Sequence, residues 1–233
     1  MGKSLTQQKR GKGSPTYKVS SFRYAGEVSN LKSNKGTVID IINSTGHTAP
    51  LAVIKYTDKK ENLLVAAEGI KVGDVLEKGP EVTIKAGNIL PLSKIPPGAP
   101  IFNIELKPGD GGKLVRSSGT TARLLSKTKS RVIIKLPSGK QKEVNPDCFA
   151  TVGVIAGSGR VDKPFMKAGI KFKAMKAKGK YWPIVSAASM NAVDHPLGGA
   201  RSSRKGRPTI APRNAPPGRK VGMIRPRHTG RNR

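Results

Sequence analysis

Apolar residues in this chain fall in short β-branched bursts, and Gly, Pro or Asn separates most of them. Residues 37–43 read Thr-Val-Ile-Asp-Ile-Ile-Asn, and the apolar run resumes over 49–56 after Ser44-Thr45-Gly46-His47. Two such runs around turn chemistry predict a β-hairpin. Residues 62–67 predict another strand. Gly69, Gly73 and Gly79 then divide short segments, with further strands expected over 82–85 and 89–92. Short strands with regular Gly or Pro punctuation are the pattern of a small barrel, and a five-stranded oligonucleotide-binding (OB) barrel fits best.

Pro96-Pro97-Gly98-Ala99-Pro100 is a stiff break. A second strand set is expected beyond it, over 101–106, 121–126, 131–136, 141–144 and 149–155, with a hairpin turn at Pro137-Ser138-Gly139. This supports a second small barrel, of the SH3-like type. No long helix stands out. Residues 163–179 allow one helical turn, and the chain past Tyr181 should run extended, with Pro fixing its local direction. Residues 1–35 are rich in Lys, Gly and Ser and offer only Tyr17, Phe22 and Tyr24 as apolar anchors. The expected fold is mainly β. A basic N-terminal arm (1–35) leads into an OB-fold-like barrel (36–95), an SH3-like barrel (96–162) and a basic Gly/Pro-rich extension (163–233).

Charge gives this organisation a purpose. The net charge is +30 over 233 residues, spread as +7 over 1–35, −1 over 36–90, +7 over 91–162 and +17 over 163–233. Asp194 is the only acid in that last segment, and residues 191–233 also carry six Gly and six Pro. A segment of this kind cannot bury enough apolar surface to offset its ordering entropy. A dense polyanion can order it, and nucleic acid is the obvious one. Aromatic residues are only 4% of the chain. That favours recognition through phosphate and the shape of folded RNA over base stacking on many rings. A single cysteine, Cys148, rules out an internal disulfide and fits a reducing compartment. The N-terminus lacks the apolar core of a signal peptide, and no run of about 18 apolar residues exists. A soluble intracellular protein is expected.

Three constellations could carry chemistry. In the first, Lys113, Arg116 and Arg123 share a loop with Ser117, Ser118, Gly119, Thr120 and Thr121. Arginine forks match phosphate oxygens, and hydroxyls donate to phosphate or ribose. An ordinary solvated polar loop is the competing reading. In the second, Gly198, Gly199, Arg201, Arg204, Lys205 and Arg207 are followed by Arg213, Arg219 and Lys220. Glycine allows close backbone approach while the cations neutralise charge. A solvated linker is the competing reading.

The third is Asn191-Ala-Val-Asp194-His195-Pro. Its neighbouring acid and imidazole suggest proton transfer. No nucleophile accompanies them, so Asp194 is expected to cap a turn or pair with a nearby arginine, and His195 to contact RNA. Trp182 beside Tyr181 could stack on a base or equally anchor the tail on the second barrel. The scattered His47, His195 and His228 with one Cys give no metal-ligand spacing. Gly153-Val-Ile-Ala-Gly157-Ser-Gly159 lacks a βαβ context, so no nucleotide cofactor is expected.

Met190-Asn-Ala-Val-Asp-His-Pro-Leu-Gly-Gly, followed by Arg213-Asn-Ala-Pro-Pro-Gly-Arg-Lys-Val-Gly, closely resembles the L-two family of large-subunit ribosomal proteins. Met1-Gly-Lys-Ser-Leu and Arg10-Gly-Lys-Gly-Ser-Pro resemble its archaeal branch. Asn145-Pro-Asp-Cys-Phe-Ala-Thr-Val-Gly and Gly169-Ile-Lys also fit, so the resemblance spans essentially the whole chain. It implies an OB barrel followed by an SH3-like barrel, with both termini buried in ribosomal RNA. It also implies a non-catalytic, primary rRNA-binding protein that supports subunit association, tRNA binding and assembly of the peptidyl-transferase region.

The implied partners are 23S-type rRNA and other ribosomal proteins, with contact to the small subunit open. The protein would be one copy within the cytoplasmic ribosome, without membrane or cofactor. Arg10 and Lys12 join the RNA-binding set, and the segments around Arg116–Arg123 and 191–201 map onto RNA-contacting parts of the family. Two departures stand out. Ser186-Ala187 replaces a frequent Arg-Gly, which removes one phosphate contact, and Leu197 replaces a histidine common in bacterial relatives. A DNA-compacting chromatin-type protein and an RNA-cleaving enzyme built on Asp194 and His195 are the competing functions.

Overall fold

The computed structural model describes residues 2–18, 21–58, 60–128, 130–199 and 210–223. They fall into two compact units, one formed by residues 20–166 and the other by residues 1–19 with 167–233.

The unit of residues 20–166 holds two antiparallel sheets. The first has the order β3-β2-β1-β4, from β1 (Lys35–Ile42), β2 (Leu51–Lys55), β3 (Glu61–Val65) and β4 (Val75–Glu77). β1 and β2 form the expected hairpin, with Ile42 opposite Leu51 and a bulge between Val38 and Asp40. Alternation sends Val38, Ala52, Ile54 and Leu64 into one core cluster, which Leu31, Tyr56 and Leu76 complete. β1 can cross so close to β2 only because Gly36 has no side chain. A Cβ there would overlap Ile54 Cγ2 and lie 3.2 Å from the Tyr56 ring.

The second sheet has the order β5-β10-β6-β7-β8-β9. Its strands are β5 (Ile89–Pro91), β6 (Pro100–Phe102), β7 (Ala122–Lys127), β8 (Val132–Lys135), β9 (Gln141–Val144) and β10 (Phe149–Val152). The turn at 137–139 joins β8 to β9, with Gly139 at φ 83°. β5 lies before the Pro-rich break, yet it pairs with β10. Its alternation explains why: Ile89 packs in the first sheet's cluster, while Leu90 packs in the second sheet's own. A third cluster, containing Val28, Leu51, Val65, Phe102 and Ile155, draws on both sheets.

The mainly β expectation holds, and several local ones are corrected. Residues 82–85 are not a strand. The Asn88 side chain donates to the Thr83 carbonyl at 3.1 Å and accepts from the Glu77 amide at 3.1 Å, which folds the segment into a loop. The pairing strand is β4, where Leu76 alone is buried.

Residues 26–32 are not loose arm either. Val28 and Leu31 are buried, whereas Phe22 is 83% exposed. A polar cluster fixes this stretch: Asn30 Nδ2 donates to Glu105 Oε1 at 2.9 Å, and Asn103 Nδ2 donates to Asn30 Oδ1 at 2.7 Å. The amides of Gly109 and Phe149 satisfy the other Glu105 oxygen at 3.1 and 3.0 Å, so the buried carboxylate is fully hydrogen-bonded.

The second unit contains α1 (Thr6–Gly11) and α2 (Ala168–Ala177). α2 is ten residues rather than one turn, because Ala, Lys and Met favour the helix even though no residue of it is buried. The tail is not extended where it is described. Asp194 and His195 both donate their amides to the Asn191 carbonyl, at 3.0 and 3.2 Å, and Gly199 donates to the Met190 carbonyl at 3.0 Å. Glycine makes that turn: a Cβ on Gly198 would overlap the Asn191 carbonyl and sit 2.7 Å from that of Met190.

Candidate nucleic-acid interface

In the sheet unit, the loop 112–123 is built by its arginine from the inside. Val115 takes the left-handed conformation at φ 53°, and Asn103 opposite does so at φ 46°. The half-buried Arg116 then donates to the Gly112 carbonyl at 3.1 Å and to the Val28 carbonyl at 3.1 Å. Burial lowers its pKa from the ordinary value, but an arginine remains a cation. Ser118 is buried, donates its amide to Thr48 Oγ1 at 3.2 Å and accepts from Arg160 Nε at 3.0 Å. Thr120 Oγ1 donates to the Ser117 carbonyl at 2.6 Å.

Among the sequence candidates here, Arg116, Ser118 and Thr120 shape the loop, while Lys113 and Ser117 are exposed on it and Arg123 is exposed on β7, which follows it. Arg123 faces Lys135 directly across β7 and β8, and both are exposed. Like charges opposite one another are unfavourable in a sheet by themselves. An anion lying over them removes that cost.

In the second unit, Asp194 pairs with Lys3 at 3.2 Å, a lysine from the other end of the chain in place of the expected arginine. His195 is buried, and its Nδ1 accepts the Leu197 amide at 3.0 Å. That places the ring inside a turn. The Lys3 amide donates to the Val193 carbonyl at 2.8 Å, Gln8 packs 3.0 Å from where a Gly218 Cβ would stand, and Leu5 is buried. The chain ends therefore hold each other.

Around them Arg10, Lys12, Asn191, Gly199, Arg213, Arg219 and Lys220 are exposed, while Gly198 is buried in the turn. Lys220 Nζ donates to the Arg213 carbonyl at 3.4 Å. Lys171 lies 5.6 Å from the centre of the Trp182 ring. Arg201, Arg204, Lys205, Arg207 and His228 lie outside the described residues.

Sequence reasoning missed Arg160, because the glycine-rich stretch before it was weighed only as a nucleotide site and set aside. It also missed the stack of Tyr24 on His47, with centroids 5.4 Å apart and planes at 16°. Burial, with the nearby Arg116 charge, lowers the His47 pKa. Cys148 is buried and its thiol is pushed up to about 11 by burial, which makes it a poor nucleophile. Among the described residues, no group of three or more His, Cys, Asp or Glu could hold a metal ion, and no helix is long and apolar enough to cross a membrane.

Two family models match the sequence. Residues 2–78 match the RNA binding N-terminal domain of Ribosomal Proteins L2, and residues 85–219 match the C-terminal domain of Ribosomal Proteins L2. The chain is 50% identical to large ribosomal subunit protein uL2 of Methanothermobacter thermautotrophicus over 241 residues, covering all of both chains. It is 46% identical to that of Haloarcula marismortui over 236 residues, with 99% of this chain and 98% of the relative covered. It is 47% identical to that of Archaeoglobus fulgidus over 234 residues, with 99% of each covered.

Proposed function

From the premise that the chain belongs to the ribosomal protein L2 family and is a structural constituent of the large ribosomal subunit, we propose that it works as a non-catalytic rRNA clamp. The sheet unit docks on folded rRNA through the 112–123 loop and the Arg123–Lys135 pair. The joined chain ends lie among phosphates that would otherwise repel one another. The observation that carries this reading is the charge of the joined ends, where 22 Lys and Arg stand against one carboxylate, itself tied to Lys3.

The contacts we assign are Arg10, Lys12, Lys113, Ser117, Arg123, Asn191, Gly199, Arg213, Arg219 and Lys220. To these the sequence adds Arg201, Arg204, Lys205 and Arg207. Arg116, Ser118, Thr120, Asp194, His195 and Gly198 hold the contacting segments in shape. The partner is large-subunit rRNA of the 23S type with neighbouring ribosomal proteins, in the cytoplasmic ribosome. The clamp supports subunit association, tRNA binding and assembly of the peptidyl-transferase region, and it leaves room for contact with the small subunit. The DNA-compacting alternative finds no support in the family match.

The test is binding of the full chain to protein-free large-subunit rRNA at a series of salt concentrations. Each neutralised phosphate adds about 0.7–0.9 to the slope of log affinity against log salt. A steep slope, and preference over duplex DNA in competition, is expected. A flat slope, or equal binding of duplex DNA, would overturn the proposal.

A further inference from the structure

We propose that Tyr24 is a seat on which one unpaired rRNA base stacks, an inference that rests on the rRNA-clamp reading above. Three observations place it. The first is rigidity. The Thr45 amide and hydroxyl both donate to the Arg23 carbonyl, at 3.2 and 2.8 Å, and the Ala25 amide donates to Ser44 Oγ at 3.2 Å. His47 Nδ1 lies 3.0 Å from the same oxygen. The 44–47 loop is therefore clamped to the chain on both sides of Tyr24.

The second is partial cover. His47 stacks on the tyrosine ring, and Gly46 passes so close that a Cβ there would lie 2.6 Å from it. Tyr24 nevertheless keeps 37% of its surface in solvent, and Phe22 two residues earlier keeps 83%. With His47 stacked on the ring, the part of Tyr24 left in solvent is what a base can reach. A fixed, partly exposed ring is what a base needs, since base–aromatic stacking is tolerant of sequence.

The third is charge. The Arg23 guanidinium lies 5.4 Å from the centre of the Phe22 ring, and burial is joined by the nearby Arg116 charge in lowering the pKa of His47, the ring stacked on Tyr24. Cations beside an aromatic face suit a nucleotide, with the rings taking the base and Arg23 its phosphate. The seat also lies within residues 2–78, the part matched by the RNA-binding N-terminal domain. The low aromatic content of the chain does not oppose the idea, because one positioned ring serves one base.

The experiment uses the full chain bound to protein-free large-subunit rRNA. Ultraviolet crosslinking, trypsin digestion and mass spectrometry should find a nucleotide on the peptide of residues 24–32. Tyr24→Leu should weaken rRNA binding about 5- to 150-fold and leave the salt slope unchanged, because no charge is lost. Tyr24→Phe should bind like the wild type. The proposal is overturned by a wild-type complex without a nucleotide on that peptide, by a crosslink there to a protein neighbour instead, by Tyr24→Leu binding as tightly as the wild type, or by Tyr24→Phe sharing the loss. The crosslink decides the matter in the wild-type protein even if Tyr24→Leu does not fold. Absence of salt-dependent rRNA binding by the wild type would instead sink the clamp reading itself.

Discussion

Residues 20–166 and the joined chain ends achieve order by different means. The first have three apolar clusters, with Phe102, Leu51, Ile54, Leu64 and Leu124 fully buried. Among the described residues of the second, Leu5 and Ala211 are the buried hydrophobics, and α2 buries nothing. Burial of apolar area is the dominant favourable term in folding, so the first unit carries its own stability. The second depends on backbone hydrogen bonds that close tight turns, against the mutual repulsion of its cations. Where a core is missing, geometry is set by glycine and carbonyl placement, and stability must come from a counter-charge.

The comparison breaks most sharply at a large core side chain. Phe102→Ala should destabilise the sheet unit by about 3–5 kcal/mol, read as a shifted urea midpoint. If the midpoint does not move, the two units do not differ as described. Next is Gly198→Ala, whose Cβ meets backbone that cannot step aside. A local cost of about 1–3 kcal/mol should loosen the 190–199 turn and weaken rRNA binding, while the urea transition of the sheets stays in place.

Arg219→Ala, and equally Arg201→Ala, should lower affinity and reduce the salt slope by about 0.7–0.9, with circular dichroism unchanged. Unfolding on either change would show that the cations also build the fold. The smallest effect is acidic. The folded-state pKa of His47 is lowered, so the unfolded chain binds its proton more readily. The sheet unit should then lose some stability as pH falls from above 6.5, the ordinary value, towards the folded one. His47→Gln should flatten that part of a pH–stability curve, and an unchanged curve would discard this account.

The sheets were legible because their signal is local. The β-branched apolar runs of 37–43 and 49–56 around their turn, and the turn at 137–139, specify β1, β2, β8 and β9 directly. β4 and the buried stretch at 26–32 were not, because both depend on distant side chains, Asn88 for one and Glu105 with Asn103 for the other. In the interface, residue type pointed to Arg116 but could not say that its fork is spent on two carbonyls. Asp194 was expected to cap a turn or pair with a nearby arginine and instead pairs with Lys3, a partner from the far end of the chain that sequence proximity cannot reveal. The Tyr24–His47 stack escaped notice for the same reason: its halves belong to separate loops that meet only once the hairpin has formed.

The bond from the Lys3 amide to the Val193 carbonyl has a consequence for biogenesis. Residues 20–166 can collapse as they leave the translating ribosome, but the first turns of the chain must wait for nearly the last. At about 5–20 residues per second, that wait is on the order of ten to forty seconds. Throughout it the cationic N-terminus, first to emerge, is without its mate and open to every polyanion in reach.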